Sequence, residues 1–326
     1  MQKNIQLAVS SLTMVALLAT ALFFLAPGHV ANADSPAGSG LWSWARQVAA
    51  TAPTVGGGEH EVVASGLVNP RHLTFGPDGS LYIAEAGTGG DECVQVDPEY
   101  PDFVVCFGQT GAITRVSLDD GTQERVVSDL PSVGDEFGFA LGPHDVSFDE
   151  EGNLFSVVGL FFDPAAREEL CPLDPELCSA YATLVSISET GEWEVIADLG
   201  AFEASQNPDD NIVETNPYAL LTDADGHVVV DASGNDLLRV DSEGDISTLA
   251  VFPLRTFPNP FPPPDEVDMH PVPTSVEMGP DGAYYVGELT GFPFPQGEAN
   301  IYRIEPGDAP DKDPEILATG FTMITD

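Results

Sequence analysis

Basic residues are almost missing from this chain of 326 residues. Lys3 and Lys312 are its only lysines, and lysine and arginine together number 10 against 53 aspartates and glutamates. The formal net charge is −43 at pH 7. Proteins that bind nucleic acid need a basic surface to neutralise phosphates, and docking on anionic lipid needs one too. The composition therefore excludes nucleic acid as a partner and argues against electrostatic docking on a membrane.

The acidity itself leaves two interpretations open. One is a surface adapted to high salt, where screening relieves the repulsion between like charges. The other is a surface that binds cations. The acidic residues are scattered through turns and polar strand positions, which favours the first interpretation, and acidity alone does not indicate a calcium site.

The motifs of common nucleophilic, nucleotide-binding and zinc enzymes are also missing. The chain contains no G-x-S-x-G, no P-loop and no H-E-x-x-H. Each of these patterns places a nucleophile, a phosphate cradle or a metal ligand in a recognisable local structure. The sequence therefore gives no direct evidence of a catalytic nucleophile.

The N-terminal segment has the three parts of an export signal. Lys3 supplies a positive charge, Leu7–Ala26 is a long apolar run, and Ala31-Asn32-Ala33 resembles a cleavage site. We predict a signal peptide over residues 1–33 and a flexible linker over residues 34–60, so that the protein is secreted or periplasmic. Because the apolar run nearly reaches the length that spans a bilayer, an uncleaved membrane anchor is the alternative.

Cysteine is scarce, and its four copies form two local pairs, Cys93 with Cys106 and Cys171 with Cys178. An even number of cysteines at short spacing in an exported chain favours a disulfide within each pair. A metal site is the weaker alternative, because neither pair has C-x-x-C spacing and neither loop contains histidine. We predict two disulfides that fasten loops without a core of their own.

The chain does contain one sequence motif that is repeated four times. Each copy has an apolar strand pattern, a tight turn rich in Asp, Asn and Gly, and a second strand pattern. The copies are Pro70–Glu85, Pro143–Val158, Pro217–Asp231 and Pro273–Glu288, and two further strand patterns follow each of them. Such units cannot bury their faces alone, and four strands per unit are typical of propeller blades. We predict an all-β fold, a β-propeller of four-stranded antiparallel blades over residues 61–326, with four complete blades.

A short segment before the first repeat carries a clue to ring closure. Glu61–Leu67 (EVVASGL) matches Glu315–Phe321 (EILATGF), the last strand pattern of the fourth repeat. Propellers fasten their ring when the first strand completes the last blade, which hides a sheet edge. The residues after Phe321 resemble the start of a fifth inner strand. We therefore expect six blades in the intact parent and a chain that is incomplete at its C-terminus; a ring of four blades is the alternative.

Loop lengths differ between the two faces of the predicted propeller. Turns between the first and second strands of each repeat are short, and most turns between the third and fourth strands are short too, whereas the longer connections are nearly all the others. Strand order gathers these longer connections on one face, around the mouth of the central channel. Loops clustered on a rigid scaffold are where function concentrates. We call this the long-loop face and predict that it carries the functional site.

The candidate site consists of side chains aimed at that channel mouth. First strands start there and second strands end there, so the strand register selects both sets. The strand starts supply Arg71, His72, His144, Asp145, Tyr218 and Thr274, and the strand ends supply Glu85, Asp231 and Glu288. Phe292 and Phe294 lie in a loop of the same face and would suit an apolar ligand or a protein partner. The alternative for these rings is that they pack the loop onto the blades.

Five members of this set have the chemistry of metal ligands or of a general acid and base. They are His72, Glu85, His144, Asp231 and Glu288. No cofactor is firmly indicated, and Ca²⁺ or Mg²⁺ is the kind that these side chains would fit. The competing interpretation is structural, because acidic strand ends often accept hydrogen bonds from neighbouring backbone, and histidines of first strands can be buried wall residues.

The repeats resemble those of the ScyD/ScyE family of exported β-propellers. The resemblance rests on the segments NPRHLTFGPDGSLYIAEAG, GPHDVSFDEEGNLF and ATGFTMITD and, most specifically, on GELTGFPFP at Gly287–Pro295. It covers residues 61–326 and implies a six-bladed, TolB-like propeller exported beyond the cytoplasmic membrane, without implying any catalytic residue. The repeated phrase is shared with NHL repeats, gluconolactonases, streptogramin lyases and quinone-dependent sugar dehydrogenases, and fold likeness alone transfers none of their activities.

These observations predict an exported propeller that binds a small ligand or an extracytoplasmic protein at the long-loop face, without catalysis. The alternative is a metal-dependent enzyme of lactonase, lyase or sugar-dehydrogenase type. We expect a monomer that does not associate with the membrane after signal cleavage. Convergence of the five candidate ligands on one point would favour the enzyme, whereas their dispersal around the channel wall beneath aromatic loops would favour binding.

Overall fold

The structure is a computed structural model that describes residues 61–95, 104–167 and 171–326. The predicted signal peptide and linker, residues 1–33 and 34–60, lie outside these ranges. In the part of the chain that the structure describes, no helix is long and apolar enough to cross a bilayer.

Four antiparallel sheets follow one another along the chain, one for each sequence repeat. Blade 1 contains β1 (Pro70–Phe75), β2 (Leu81–Glu85), β4 (Val104–Val116) and β5 (Gln123–Gly134), with short additions β3 (Glu92–Gln95) and β6 (Ala140–Leu141). Blade 2 contains β7 (Pro143–Phe148), β8 (Leu154–Val158), β9 (Thr183–Ile187) and β10 (Trp193–Asp198). Blade 3 contains β11 (Pro217–Asp223), β12 (Gly226–Asp231), β13 (Asp236–Val240) and β14 (Ile246–Val251). Blade 4 contains β17 (Pro273–Met278), β18 (Tyr284–Glu288), β19 (Ala299–Ile304) and β20 (Glu315–Phe321).

The remaining elements lie in the long connections. A separate hairpin of β15 (Arg255–Pro258) and β16 (Glu266–Met269) joins blade 3 to blade 4. A 3-10 helix (Pro164–Ala166) and α1 (Pro175–Ser179) lie between β8 and β9. Helix α2 (Leu199–Gln206) follows β10, and the Asp198 side chain caps its N-terminus by accepting a hydrogen bond from the Ala201 amide.

The hydrophobic core lies between neighbouring blades. One buried cluster joins Ile113 of blade 1 to Val158 of blade 2, a second joins blades 2 and 3, and a third joins Val230 of blade 3 to Val286 of blade 4. The first strands β1, β7, β11 and β17 lie side by side in that order. Face-to-face packing of successive four-stranded sheets is the architecture of a propeller, so the predicted fold class is confirmed.

Strands reach further into the blade 1 loops than the sequence predicted. Residues 86–109 were expected to form a long loop, yet they include β3 and the first half of β4. Cys93 and Cys106 are partners in the β3–β4 ladder and form a disulfide, and Cys171 forms a disulfide with Cys178 of α1, so both predicted disulfides are confirmed. The loop also has a core, because Phe107 is fully buried and packs among residues of blades 1 and 2.

The segment Glu61–Leu67, predicted to complete the last blade, forms no ladder in the structure. Ser65 instead exchanges hydrogen bonds with the side chain of Gln123 in β5, and Ala64 and Leu67 pack against apolar residues of blade 1. Blade 4 already has its own four strands within the repeat. The six-blade ring stays a prediction.

The scarce arginines pair with acids of the tight turns. In three blades an arginine of the third strand forms an ion pair with an aspartate at the turn between the first and second strands. The pairs are Arg115 with Asp78, Arg239 with Asp223 and Arg303 with Asp281. The turn aspartates also accept hydrogen bonds from the turn's own backbone, as Asp78 does from the Ser80 amide. They are therefore structural elements of the blades.

Candidate functional site

Neighbouring first strands bring several of the predicted site residues close together. The Nδ1 atom of His72 in β1 lies 3.4 Å from Oδ2 of Asp145 in β7. The ring of Tyr218 in β11 lies edge-on to His72, with ring centroids 5.2 Å apart, and 4.9 Å from the ring of His144. Arg71 is close enough to act electrostatically on His144 and Tyr218. We call these five residues the channel cluster.

The two histidines of the channel cluster have opposite protonation tendencies. Burial by itself lowers the pKa of His72, but the hydrogen bond and charge of Asp145 outweigh it, so the net shift raises that pKa. Burial, reinforced by the positive charge of Arg71, holds the pKa of His144 well below its usual range. His144 Nδ1 lies 3.0 Å from the carbonyl oxygen of Pro217, and only an N–H can bond a carbonyl. His144 is therefore a neutral ring whose Nε2 is an acceptor, without a hydrogen-bond partner among the described residues.

The segment 322–326 crosses the channel cluster. Nε2 of His72 lies 3.0 Å from the carbonyl oxygen of Thr325, and the hydroxyl of Thr274 donates to the carbonyl of Ile324 at 2.7 Å. Ile324 also donates its amide to the carbonyl of Glu288. Thr274 therefore reaches the channel cluster through this segment. His72 faces an oxygen acceptor at each ring nitrogen, which is the arrangement that favours an imidazolium.

The raised pKa of His72 leads to a pH-dependent contribution to stability. We expect the free energy of unfolding that wild type gains over His72→Gln to be complete below about pH 6.5, the ordinary histidine pKa. Between this value and the raised pKa of folded His72, the folded protein holds a proton that the unfolded chain has lost, so the added stability falls as the pH rises. Above the folded pKa this contribution is gone. Urea unfolding of both proteins across this range measures the difference. An NMR-measured pKa of His72 that is at or below 6.5, or that is unchanged in Asp145→Asn, would contradict this expectation.

The three acidic strand ends each belong to a hydrogen-bond network of their own blade. All three are at most 1% exposed. Glu85 accepts hydrogen bonds from the Val68 amide, the Thr114 hydroxyl and Arg125. Asp231 accepts hydrogen bonds from the Thr215 hydroxyl and from the amides of Asn216, Ser233 and Gly234. Glu288 accepts them from the Tyr302 hydroxyl at 2.6 Å and from Arg255.

The five side chains considered as metal ligands are thus dispersed. His72 and His144 lie in the channel cluster, whereas Glu85, Asp231 and Glu288 are engaged inside blades 1, 3 and 4. Among residues 61–95, 104–167 and 171–326, no three His, Cys, Asp or Glu side chains form a group suited to a metal ion.

Phe292 and Phe294 belong to an aromatic cluster that also includes Phe261. The rings of Phe261 and Phe292 stack with centroids 6.3 Å apart and an interplanar angle of 13°, and Phe294 meets Phe292 edge-on at 6.1 Å. Phe294 is 9% exposed, whereas Phe261, beyond β15 in the hairpin loop, is 54% exposed. We call these three rings the aromatic cluster. The buried ring of Phe294 lies at one end of this cluster, and the exposed ring of Phe261 lies at the other.

The β15–β16 hairpin is fastened to blade 4 beside the aromatic cluster. Arg255 in β15 pairs with the buried carboxylate of Glu288 and donates to the carbonyl of Glu298 at 2.8 Å. Charge-assisted bonds of this kind give orientation as well as energy. Sequence reasoning identified Glu288 but missed Arg255, since nothing in the local pattern around Arg255 indicates its partner.

A second group of buried acids was missed by sequence reasoning. Asp236, at the start of β13, is the ladder partner of Asp231, and both are 1% exposed. Glu203 lies on the buried side of α2 and is 2% exposed; its burial, together with Asp231 and Asp209, raises its pKa to about 8. The sequence does contain a signal for Asp236. The residue that pairs with the end of the second strand is Ala112 in blade 1 and Thr183 in blade 2, whereas in blade 3 it is an acid. Aligning the repeats singles out Asp236 as the one acid among these three.

An open cleft of about 540 Å³ lies on the opposite, short-turn face between blades 2 and 3. Its lining includes the turn residues Asp149 and Asp241. Both carboxylates accept hydrogen bonds from backbone amides of their own turns, those of Asn153 and Asp245 respectively. These two aspartates therefore hold their own turns, and the predicted site lies on the other face.

Comparison with known proteins adds no assignment of activity. No family model and no curated protein matches the chain. Virginiamycin B lyase from Staphylococcus aureus has a similar structure, with 14% identity over 77% of this chain and 56% of its own and a TM-score of 0.40. The PQQ-bound aldose sugar dehydrogenase from Streptomyces coelicolor gives 15% identity, 80% and 84% coverage and a TM-score of 0.39. The chain spans just over half the length of the lyase, and likenesses this distant transfer no function.

Proposed function

We propose that this protein is an exported propeller of the ScyD/ScyE kind that binds a ligand through the aromatic cluster on its long-loop face, without catalysis. The ligand is a small molecule, or a segment of an extracytoplasmic protein, that presents an apolar or aromatic face. The observation that carries the proposal is the exposure of Phe261 above the packed rings of Phe292 and Phe294.

The geometry of the aromatic cluster supports this function. Aromatic rings supply much of the energy of recognition because they bury a large apolar area with little conformational freedom to lose. Here little conformational entropy remains to be lost when a ligand binds, because Phe294 is already buried and Arg255 holds the hairpin against Glu288. The segment that carries the most specific part of the family resemblance, Gly287–Pro295, is the same segment that supplies Phe292 and Phe294.

Export is supported by the two disulfides. Disulfides persist in oxidising compartments and are rare in proteins of the cytosol. The Cys93–Cys106 pair lies between β3 and β4 of blade 1, and the Cys171–Cys178 pair lies in the connection between β8 and β9. They would stabilise these segments outside the cell without any metal.

The metal-dependent enzyme is not favoured, for a physical reason. A carboxylate that serves as a metal ligand or general base needs oxygen lone pairs directed at the ion or the substrate. Asp231 uses both of its oxygens in hydrogen bonds to blade 3, and Glu288 uses both of its oxygens on Tyr302 and Arg255.

A neutral aromatic dye tests the proposal without knowledge of the natural ligand. We expect Nile red to bind the protein saturably in about 1 M NaCl, where surface charge is screened, with an increase in fluorescence. Phe261→Ala should weaken this binding by about tenfold, since a desolvated aromatic contact contributes roughly 1–2 kcal/mol. The dissociation constant from fluorescence titration is the measurement.

Phe137→Ala is the matched control, because Phe137 is 71% exposed in a loop of blade 1 and lies outside the aromatic cluster. It should bind the dye as wild type does. Absence of saturable binding by wild type, or equal weakening in both variants, would overturn the proposal.

A further inference from the structure

The two disulfides lie in contrasting surroundings. Cys171 and Cys178 are 5% and 1% exposed and belong to the hydrophobic cluster between blades 1 and 2. Cys93, in contrast, is exposed and Cys106 is half-buried. A thiolate breaks a disulfide by attacking one of its sulfurs, so the rate depends on access to that sulfur. An external thiol can therefore reach the Cys93–Cys106 bond in the folded protein, whereas the core shields the Cys171–Cys178 bond.

The strand that carries Cys93 has little other support. β3 is four residues long, and in the described part of the chain it pairs only with β4. Three of its residues are exposed, and the fourth, Val94, is half-buried against the cluster between blades 1 and 2. A short edge strand with one apolar contact has low local stability. The bond between the ladder partners Cys93 and Cys106 is therefore the main link of β3 to blade 1.

β4 is held on its other side by contacts that do not involve the disulfide. Residues Cys106–Gly108 of β4 pair with Ser132–Gly134 of β5, and Phe107 is fully buried. The hydroxyl of Tyr181 donates to two carbonyls of this ladder, at 2.9 and 3.2 Å. Opening of the disulfide should therefore leave β4 in place.

The chain that leads into β3 is also anchored independently. The hydroxyl of Thr110 donates to the carbonyl of Gly89 at 2.7 Å and accepts from the amide of Thr88 at 2.9 Å. The amide of Gly89 donates to the hydroxyl oxygen of Ser132 at 2.8 Å. The segment that can detach without breaking these bonds therefore lies after Gly89 and includes Glu92–Gln95.

We propose that the Cys93–Cys106 disulfide is a redox switch, which a dithiol reductant opens in the folded protein to release β3 from blade 1. One thiolate of the reductant attacks Sγ of Cys93, and Cys106 leaves as a thiolate that takes up a proton. The second thiol of the reductant attacks the resulting mixed disulfide, so Cys93 is released as a thiol and the reductant becomes a disulfide. Two electrons and two protons pass to the cysteine pair.

Release of β3 follows from the loss of the covalent loop. The two cysteines are 13 residues apart in sequence, and the disulfide holds them as neighbours. Without it, pairing β3 with β4 must overcome the entropy of closing that loop. The backbone edge of β4 that β3 covers, Val104–Phe107, then becomes open to other partners. The switch belongs to blade 1 and its test does not depend on the proposed binding function.

Reduction kinetics of the native protein test the accessibility of the switch. The protein is incubated with dithiothreitol in about 1 M NaCl, where surface charge is screened. Samples taken at intervals are alkylated with iodoacetamide, and the cysteine peptides are quantified by mass spectrometry. We expect Cys93 and Cys106 to be alkylated more than about tenfold faster than Cys171 and Cys178, because exchange follows access to the sulfur. The buried pair is the matched control within the same molecule.

Hydrogen exchange of the protein reduced at this one bond tests the release of β3. The amides of Glu92–Gln95 should lose their protection, while the β4–β5 ladder keeps its own. A variant with Cys93→Ser and Cys106→Ser should show the same exchange without reductant and no change when reductant is added. Should this variant not fold, the reduced wild-type protein gives the same readout. The proposal is overturned if both disulfides are reduced at one rate, if β3 stays protected after its disulfide is open, or if reduction of this bond alone unfolds the blades.

Discussion

Replacing Glu288 by alanine is expected to lower the free energy of unfolding by about 3 kcal/mol. Glu288 is fully buried, and its carboxylate accepts from both Arg255 and the Tyr302 hydroxyl. Its removal leaves the Arg255 guanidinium without its counter-charge in a mostly buried position, with 23% of that side chain exposed. Breaking a buried pair by deleting one partner is far costlier than losing a surface pair. Urea denaturation of wild type and variant measures the difference.

Glu298→Ala is the control for this experiment. Glu298 is an exposed acid near Arg255, and the variant keeps the backbone carbonyl that Arg255 uses. Its unfolding free energy should stay within about 0.5 kcal/mol of wild type, as is usual for surface substitutions. A Glu288→Ala protein as stable as the Glu298→Ala protein would show that Glu288 is not a structural anchor, and would return weight to a functional role for the strand ends. Because Arg255 fastens the hairpin that carries Phe261, we also expect Glu288→Ala to weaken Nile red binding.

The fold could be predicted because repetition is visible without any long-range information. Each repeat carries its own alternation and its own turn, and a unit that cannot bury its faces alone must stack on copies of itself. The two disulfides could also be predicted from local sequence, because both cysteines of each pair lie in one short segment. The long β4 strand was not predicted, because its N-terminal half is formed by pairing with β3 and β5 and by burial of Phe107 under blade 2. Those contacts are set by tertiary packing.

The structure brings some of the candidate site residues together and leaves others apart. In the structure His72, Asp145 and Tyr218 lie close together, because the first strands that carry them run side by side. The strand ends were grouped with them by the argument from strand register. Their side chains instead turn into their own blades, where donors such as the Thr215 hydroxyl and Arg255 come from connections between blades that have no fixed spacing in the repeats. Asp236 and Glu203 escaped notice because a surface rich in acids hides the few that are buried.

Tyr181→Ala is expected to cost about 4 kcal/mol of unfolding free energy, the range for removing a fully buried aromatic side chain. Tyr181 is 0% exposed and lies just before β9, with its ring edge-on to Phe107 of blade 1 at a centroid distance of 5.5 Å. Its hydroxyl donates to the carbonyls of Ser132 at 2.9 Å and Gly108 at 3.2 Å. These two residues are ladder partners beside a bulge in the β4–β5 pair. One side chain of blade 2 therefore holds the irregular part of blade 1, which carries the Cys93–Cys106 loop.

A pair of tyrosine-to-phenylalanine variants separates the hydroxyl from the ring. Tyr181→Phe should cost about 1–2 kcal/mol, because it leaves buried carbonyl groups without their donor. Tyr285→Phe removes a hydroxyl that donates to Asp281 at an exposed site and should change the unfolding free energy by no more than about 0.5 kcal/mol. Equal effects of the two phenylalanine variants would mean that the hydroxyl of Tyr181 does not fasten the bulge. In that case the contact between blades 1 and 2 would depend on packing of the Tyr181 ring alone, and the two hydrogen bonds of its hydroxyl would contribute nothing to stability.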